Sequence, residues 1–471
     1  MKLTDFTDPI GRVFDDMVET AEGLFETTVR LGVTGLSGAG KTVFITSLVH
    51  NLMRPGRLPL LDAVADERFE AAILRPQPDP GVPRFDYESH IAAVQANAPH
   101  WPESTRRISQ LRLSIRYQPR SFVRRQLYGS TTLNLDIVDY PGEWLLDLPL
   151  LGRRFADWSR EVFEMCEHEP RRRLSAPWRE YAGSLSPDGP ADELTVQRCA
   201  ALYTDYLRAA RADGARLSRL QPGRFLMPGD LDGSPALTFS PLPPSDGHRH
   251  GGRHTLWGLM ESRFEAYKDV VVRPFFRDHF ARLDRQVVLV DVLRTLNAGP
   301  ASVADLRAAM AELLDCFRPG RASWLWPLLG RRIDRVLFAA TKADHVPPGQ
   351  HDRLAELVGG LLFDPMNRAA FLGAEVETMA LAAVRATREA RARRDGEALD
   401  CVEGVPTDGD AAVIAFPGEL PASFAEIDPD AAEAYNFMTF RPPAGAGRDG
   451  RGLPHVRLDR ALQFLIGDLL E

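Results

Sequence analysis

The octapeptide Gly35-Leu36-Ser37-Gly38-Ala39-Gly40-Lys41-Thr42 constrains this chain more than any other feature. It follows the β-branched apolar run TTVRLGVTG and opens the periodic segment KTVFITSLVHNLM, so it reads as strand, glycine turn and helix. A G-x-x-x-x-G-K-[ST] match is expected by chance on the order of 0.002 times in a chain of this composition, so coincidence is set aside. Glycines let the backbone curl until its N–H groups surround a phosphate, and the positive end of the following helix adds to the attraction. Gly35, Ser37, Gly38, Ala39, Gly40, Lys41, Thr42 and Val43 are therefore expected to hold a nucleotide's phosphates. Lys41 would bridge the β- and γ-phosphates, and the Thr42 hydroxyl would ligate Mg²⁺.

Composition sharpens this reading at one point. Lys and Arg total 57, yet only four are Lys: Lys2, Lys41, Lys268 and Lys342. A chain this biased toward Arg is expected to keep Lys where a compact ammonium does what a planar guanidinium cannot. Lys342 lies in the second relevant motif, Thr341-Lys342-Ala343-Asp344, directly after the apolar run RVLFAA. It has the form of the [NT]-K-x-D base clamp. Asp344 would accept from N1–H and the 2-amino group of guanine, two donors that adenine does not present together. The Lys342 stem would lie along the ring. Asn is commoner than Thr at the first place, so an ATP-using protein stays open beside guanine recognition.

A third motif, LDIVDYPGEW at 135–144, brings Asp139 to the end of an apolar strand and Gly142 three residues on. The carboxylate can hold Mg²⁺ directly or through water, and the Gly142 N–H can stand beside a γ-phosphate. Glu143 follows Gly142, and a carboxylate beside a γ-phosphate is electrostatically awkward, so slow intrinsic turnover is expected. Arg153, Arg154 or a partner's arginine is the expected compensating cation.

The rest of the chain sets the frame. Residues 1–26 read as an amphipathic helix, 54–100 as a long irregular connection, and 108–117 and 133–139 as strands around the turn RRQLYGS. From about 144 to 284 helical periodicity dominates. Strands return at 285–293 and 332–340, followed by helices at 350–360 and 366–373. An Arg-rich helix after TMALAAVRAT, a strand at 413–417, a Gly/Arg loop at 444–452 and a last helix from Leu458 complete the pattern. Alternating strands and helices predict an α/β fold with a mainly parallel sheet and an inserted all-helical domain. The expected divisions are 1–26, 27–143, 144–284, 285–395 and 396–471.

Other function classes are disfavoured. The formal charge of −8 argues against a general nucleic-acid binder. Four cysteines without ligand spacing predict neither a disulfide framework nor a zinc module, but buried thiols in a reducing compartment. No run of about 18 apolar residues predicts a membrane span, so a cytoplasmic location is expected. His248, His250 and His254 are expected in a solvated loop, and Trp324 and Trp326 either in the core or on an exposed patch.

Together the three motifs resemble the P-loop GTPases. With WPEST (101–105), LQPGRFLMPGDL (220–231), LDRQVVLVDVLRTLNAG (283–299), AAVRATRE (382–389) and HVRLDRALQFLIGDLL (455–470), the chain resembles the YcjX-like family of bacterial Ras-like GTPases over almost its full length. That resemblance implies a Ras-like P-loop fold, GTP hydrolysis to GDP, nucleotide-dependent switches at 101–110 and 139–150, and a role in stress responses. It also implies that Thr105 meets Mg²⁺ and the γ-phosphate, that Glu143 stands where a water-orienting Gln is common, and that Ala382, Ala383 and Val384 back the guanine through backbone N–H groups. The alternative is a nucleotide-gated docking module with slow hydrolysis, whose protein partner engages the helical insertion or is itself a membrane protein at the inner membrane.

Overall fold

The computed structural model describes residues 26–35, 38–103, 107–212, 217–244, 254–315, 333–362, 374–427, 435 and 437–471. Seven strands form the central sheet: β1 (Thr27–Gly35), β2 (Phe69–Arg75), β3 (Ser109–Tyr117), β4 (Thr131–Asp139), β5 (Arg285–Val290), β6 (Arg335–Ala340) and β7 (Glu375–Ala380). Their spatial order is β2-β3-β4-β1-β5-β6-β7. The pairs from β4 through β1, β5 and β6 to β7 are parallel, whereas β2 and β3 run antiparallel to their neighbours. The direction of winding reverses beside β1, and an α/β sheet binds its ligand in the crevice at such a point, outside the carboxyl ends of the strands.

The apolar runs that announce β5 and β6 are those of strands covered on both faces. Val287, Leu289, Leu337 and Ala339 face one core, with helix α1 (Lys41–Met53) and the last helix. Val288, Val290, Val336, Phe338 and Ala340 face the other, with the helices that follow β4. Between β4 and β5 the described residues form helices and no strand. Their core is aromatic: Trp158 stacks on Phe264 at 5.0 Å, and Trp178, Tyr203 and Trp257 are fully buried. Cys166, Cys199 and Cys401 are free and buried. Among the described residues no helix is long and apolar enough to cross a membrane.

Three expectations of local structure are corrected. Residues 54–100 are not irregular throughout, since they hold β2 and α2 (Tyr87–Gln95). β2 is an edge strand with only Ala72 buried, which mutes its apolar pattern. α2 is announced instead by its cap, where the Asp86 carboxylate accepts from Ser89 N–H at 3.2 Å. The expected turn RRQLYGS is mostly helix α3 (Phe122–Tyr128), ended by Gly129 at φ +63°.

The Arg-rich segment is a hairpin of β8 (Arg388–Arg394) and β9 (Glu397–Gly404), joined by Asp395 and Gly396 at φ 55° and 88°. An Asp-Gly pair supplies the left-handed conformations of a two-residue hairpin turn. The arginines face acids across the strands, Arg388 with Glu403 at 2.6 Å and Arg391 with Asp400 at 3.4 Å. The expected division at 395/396 falls inside that turn. β10 (Val413–Ala415) completes this small sheet, and helix α4 (Leu458–Ile466) closes the chain. The expected N-terminal helix, apart from Glu26, lies outside the described residues, as do 366–373, Trp324, Trp326, His248 and His250; His254 is exposed, as a solvated loop requires.

Candidate functional site

The phosphate end is built by one local connection. β1 ends at Gly35, and α1 begins at Lys41 with no acidic residue in its first turn, so nothing in that turn competes for an anion. Gly38 and Gly40 sit at φ +81° and +85°, conformations that side chains with a Cβ rarely adopt. The end of the Arg294 side chain lies where a Cβ on Gly38 would stand. Gly35 packs so closely on β5 that a Cβ would meet the Leu289 carbonyl at 2.7 Å. Lys41 folds back over the loop, its Nζ donating to the Gly35 carbonyl at 2.9 Å. Thr42 and Asp139 are both buried, and Asp139 pairs in register with Val33 of β1. Ser37 and Thr105 lie outside the described residues.

The base end is assembled from distant chain. Thr341 binds the Val290 carbonyl through its N–H at 3.0 Å and its hydroxyl at 3.4 Å, which lashes β6 to β5. Lys342, at φ +61°, donates to Asp291 at 2.6 Å. Asp291 also caps the short helix 292–297 by accepting from Arg294 N–H at 3.1 Å. Asp344 is buried, with one carboxylate oxygen held by the Ala386 N–H at 2.7 Å and the other 4.0 Å from His345 Nε2. Burial pushes the His345 pKa down, so the ring beside this carboxylate is neutral near pH 7. Ala382 exchanges hydrogen bonds with Val456, its N–H donating at 3.1 Å. That donor is therefore committed, contrary to the expectation that all three N–H groups of Ala382, Ala383 and Val384 face a base. The Ala383 carbonyl accepts from the Ser47 hydroxyl on α1.

These two ends share one cavity of about 350 Å³. Its wall includes Gly38, Ala39, Gly40, Lys41, Thr42 and Val43 at one end, and Thr341, Lys342, Asp344, Ala382, Ala383 and Val384 at the other. Trp101, Pro102, Thr407, Thr439 and Phe440 also line it, and motif reading singled out none of them. Trp101 and Pro102 stand in the quoted segment WPEST, but nothing in the spacing of the others signals a pocket.

Glu143 stands elsewhere. It is buried in a smaller cavity with Arg211, Asp291 and Arg294, and pairs with Arg211 at 3.0 Å. Two of the expected compensating cations, Arg153 and Arg154, are thus corrected. Arg153 is engaged by Glu161 at 2.9 Å and Gln221 at 3.3 Å, and Arg154 pairs with Asp157 on the surface. Arg211, at the end of helix 193–212, is the cation that meets Glu143. Gly142 opens the helical segment Gly142–Gly152, which the helices after β4 grip at several points. Asp147 accepts from Gly223 N–H at 2.7 Å and Tyr267 Oη–H at 2.5 Å, while Arg224 lies 3.2 Å over the Trp144 ring. Burial pushes the Asp147 pKa up to about 7 against these donors.

Sheet order, glycine turn and helix start together define a protein of the P-loop nucleoside-triphosphate-binding fold. The family model described as YcjX-like family, DUF463, matches residues 29–470. A protein of Escherichia coli (strain K12) named Ras-like GTPase YcjX is 40% identical over 450 residues, covering 94% of this chain and 96% of its own. A protein of the same name from Shewanella oneidensis is 38% identical over 462 residues, covering 94% and 95%. The chain belongs to the YcjX-like family.

Proposed function

We propose that the chain binds GTP in the 350 Å³ cavity and hydrolyses it to GDP and phosphate. The observation that carries this reading is that a phosphate-binding turn and a guanine-type clamp, about 300 residues apart in sequence, form opposite ends of one cavity. The names of the two relatives point the same way. On GTP binding Lys41 leaves the Gly35 carbonyl for the β- and γ-phosphates. Asp344, held from behind by Ala386, accepts from the guanine edge, and Ala383 and Val384 back the base.

Thr42 and Asp139 fit Mg²⁺ as buried hard oxygen donors on adjoining elements, with Thr105 joining them in the triphosphate state. When bound, the ion would screen the charge of the β- and γ-oxygens. Gly142 would report the γ-phosphate to the segment gripped by the helices, which we read as an inserted unit spanning 144–284. Glu143 is held by Arg211 in the neighbouring cavity, which shares Ala39 with this one, and a low intrinsic rate is expected. A part in stress responses rests on the family resemblance, and a cytoplasmic site of action on four cysteines without disulfide or ligand spacing.

The test is phosphate release by the purified chain with Mg²⁺, with GTP and ATP in direct competition. GTP is expected to be bound in preference and consumed. Equal use of both nucleotides would move the reading to an ATP-using protein, and binding without turnover would move it to a nucleotide-gated docking module.

A further inference from the structure

Thr439 and Phe440, which line the cavity beside the two motifs, belong to a short strap, residues 437–441. Its course is fixed at both ends. Asn297 clamps Phe437 twice, donating to its carbonyl at 2.9 Å and accepting from its N–H at 3.1 Å. Farther on, Thr407 N–H donates to the Thr439 carbonyl at 2.9 Å, and Arg441 N–H donates to the Val405 carbonyl at 2.8 Å. These bonds dock the strap on the chain leaving β9. Between them Phe440 is buried with its ring edge-on to His345 at 5.1 Å, immediately beside Asp344. The Trp101 indole N–H donates to the Phe440 carbonyl at 2.7 Å. Trp101 and Phe440 both line the cavity at the end that holds Lys342 and Asp344.

A purine is a flat aromatic plate, and edge hydrogen bonds to Asp344 leave its two faces to be covered by apolar surface. The Lys342 stem offers one covering, and the partly exposed Trp101 offers aromatic surface, while the buried Phe440 backs it. We propose that Trp101 forms the aromatic wall of the base site and that Phe440 of the strap positions it, through its carbonyl to the Trp101 indole and its ring against His345. The inference rests on the reading of this cavity as a nucleotide site, and deepens it. The wall is a part that the P-loop and the clamp do not supply, and it makes the end of the chain a component of ligand recognition.

The experiment compares GDP with inorganic tripolyphosphate, which carries the phosphates without a base, on the full-length protein. Calorimetry is done on wild type and Phe440→Leu, and Trp fluorescence on wild type and Trp101→Phe. Phe440→Leu is expected to weaken GDP at least fivefold while tripolyphosphate stays within about twofold, the loss typical of a base whose aromatic neighbour is displaced. Equal losses for both ligands, or no loss for either, would overturn the proposal. GDP is expected to change the fluorescence of wild type, and that change is expected to vanish in Trp101→Phe. A change that tripolyphosphate reproduces, or that survives in Trp101→Phe, would also overturn it. Failure of the guanine reading looks different, with wild type binding ADP as tightly as GDP and Phe440→Leu weakening both.

Discussion

The two ends of the cavity are made in opposite ways. The phosphate end is one strand, one turn and one helix start, all within residues 27–53. The base end needs residues near 101, 291, 342–344, 382–386, 407, 440 and 456, brought together by the sheet and by strand-like pairings outside it. A local site depends on backbone conformations that a few glycines allow, whereas a dispersed one depends on every segment arriving in register. The phosphate end is therefore expected to fail at single residues, and the base end to degrade by degrees.

The largest effect is expected at the local end. Lys41→Ala removes the charge proposed to meet the phosphates, and truncating one member of a buried charge pair costs roughly 2–5 kcal/mol, so GTP affinity should fall about thirtyfold or more. Lys41→Arg should not restore it, because a planar fork does not fit a loop closed around an ammonium. Retention of wild-type affinity in a titration of either variant would break the comparison at its strong side.

Asp344→Asn tests the dispersed end. An amide donates where the carboxylate accepted, so preference should move from GTP toward XTP by about tenfold, or 1.4 kcal/mol. Total affinity for the preferred nucleotide should change less than in Lys41→Ala. An unchanged GTP:XTP ratio in competition would show that Asp344 does not read the base, and the Thr341 departure would then count toward ATP.

A smaller effect is expected where the 142–152 segment meets the helices. Asp147 titrates near 7 in the fold, against about 4 for an ordinary aspartate. Between those values the folded state binds the extra proton, so stability falls as pH rises from about 4 to 7 and is level above. The difference in unfolding free energy between wild type and Asp147→Asn should follow that slope. A difference that is constant across this window would show that Asp147 ionises normally.

The smallest change is expected at Glu143. Arg211 already balances its charge, so Glu143→Gln should leave GTP affinity nearly unaltered and maintain or raise the single-turnover rate. A loss of about a hundredfold with binding intact would make Glu143 the catalytic base.

What the sequence disclosed follows the same division. The glycine turn, the ends of β4 and β6 and the parallel strands β1, β4, β5 and β6 are legible, because each is a contiguous run with its own periodicity, whereas the partly polar β7 is not. The strap is not, since Phe440 and Thr407 acquire their meaning only when a β9 hairpin and an Asn297 clamp set them side by side. The Arg-rich segment was misread because charge composition resembles that of a solvated helix, and only the Asp395-Gly396 pair betrays the hairpin. Arg211 could not be assigned from among so many arginines, because pairing with Glu143 is a property of helix packing, not of spacing.

The bond between Ala382 and Val456 has a consequence for biosynthesis. A chain emerging from the ribosome carries its glycine turn about 400 residues before Val456. The turn can therefore fold long before the 382–384 loop is pinned and the 437–441 strap is docked. On the function proposed above, a nascent chain would hold phosphate before it could choose a base, and synthesis of residues 437–456, rather than folding of the sheet, would make the pocket whole.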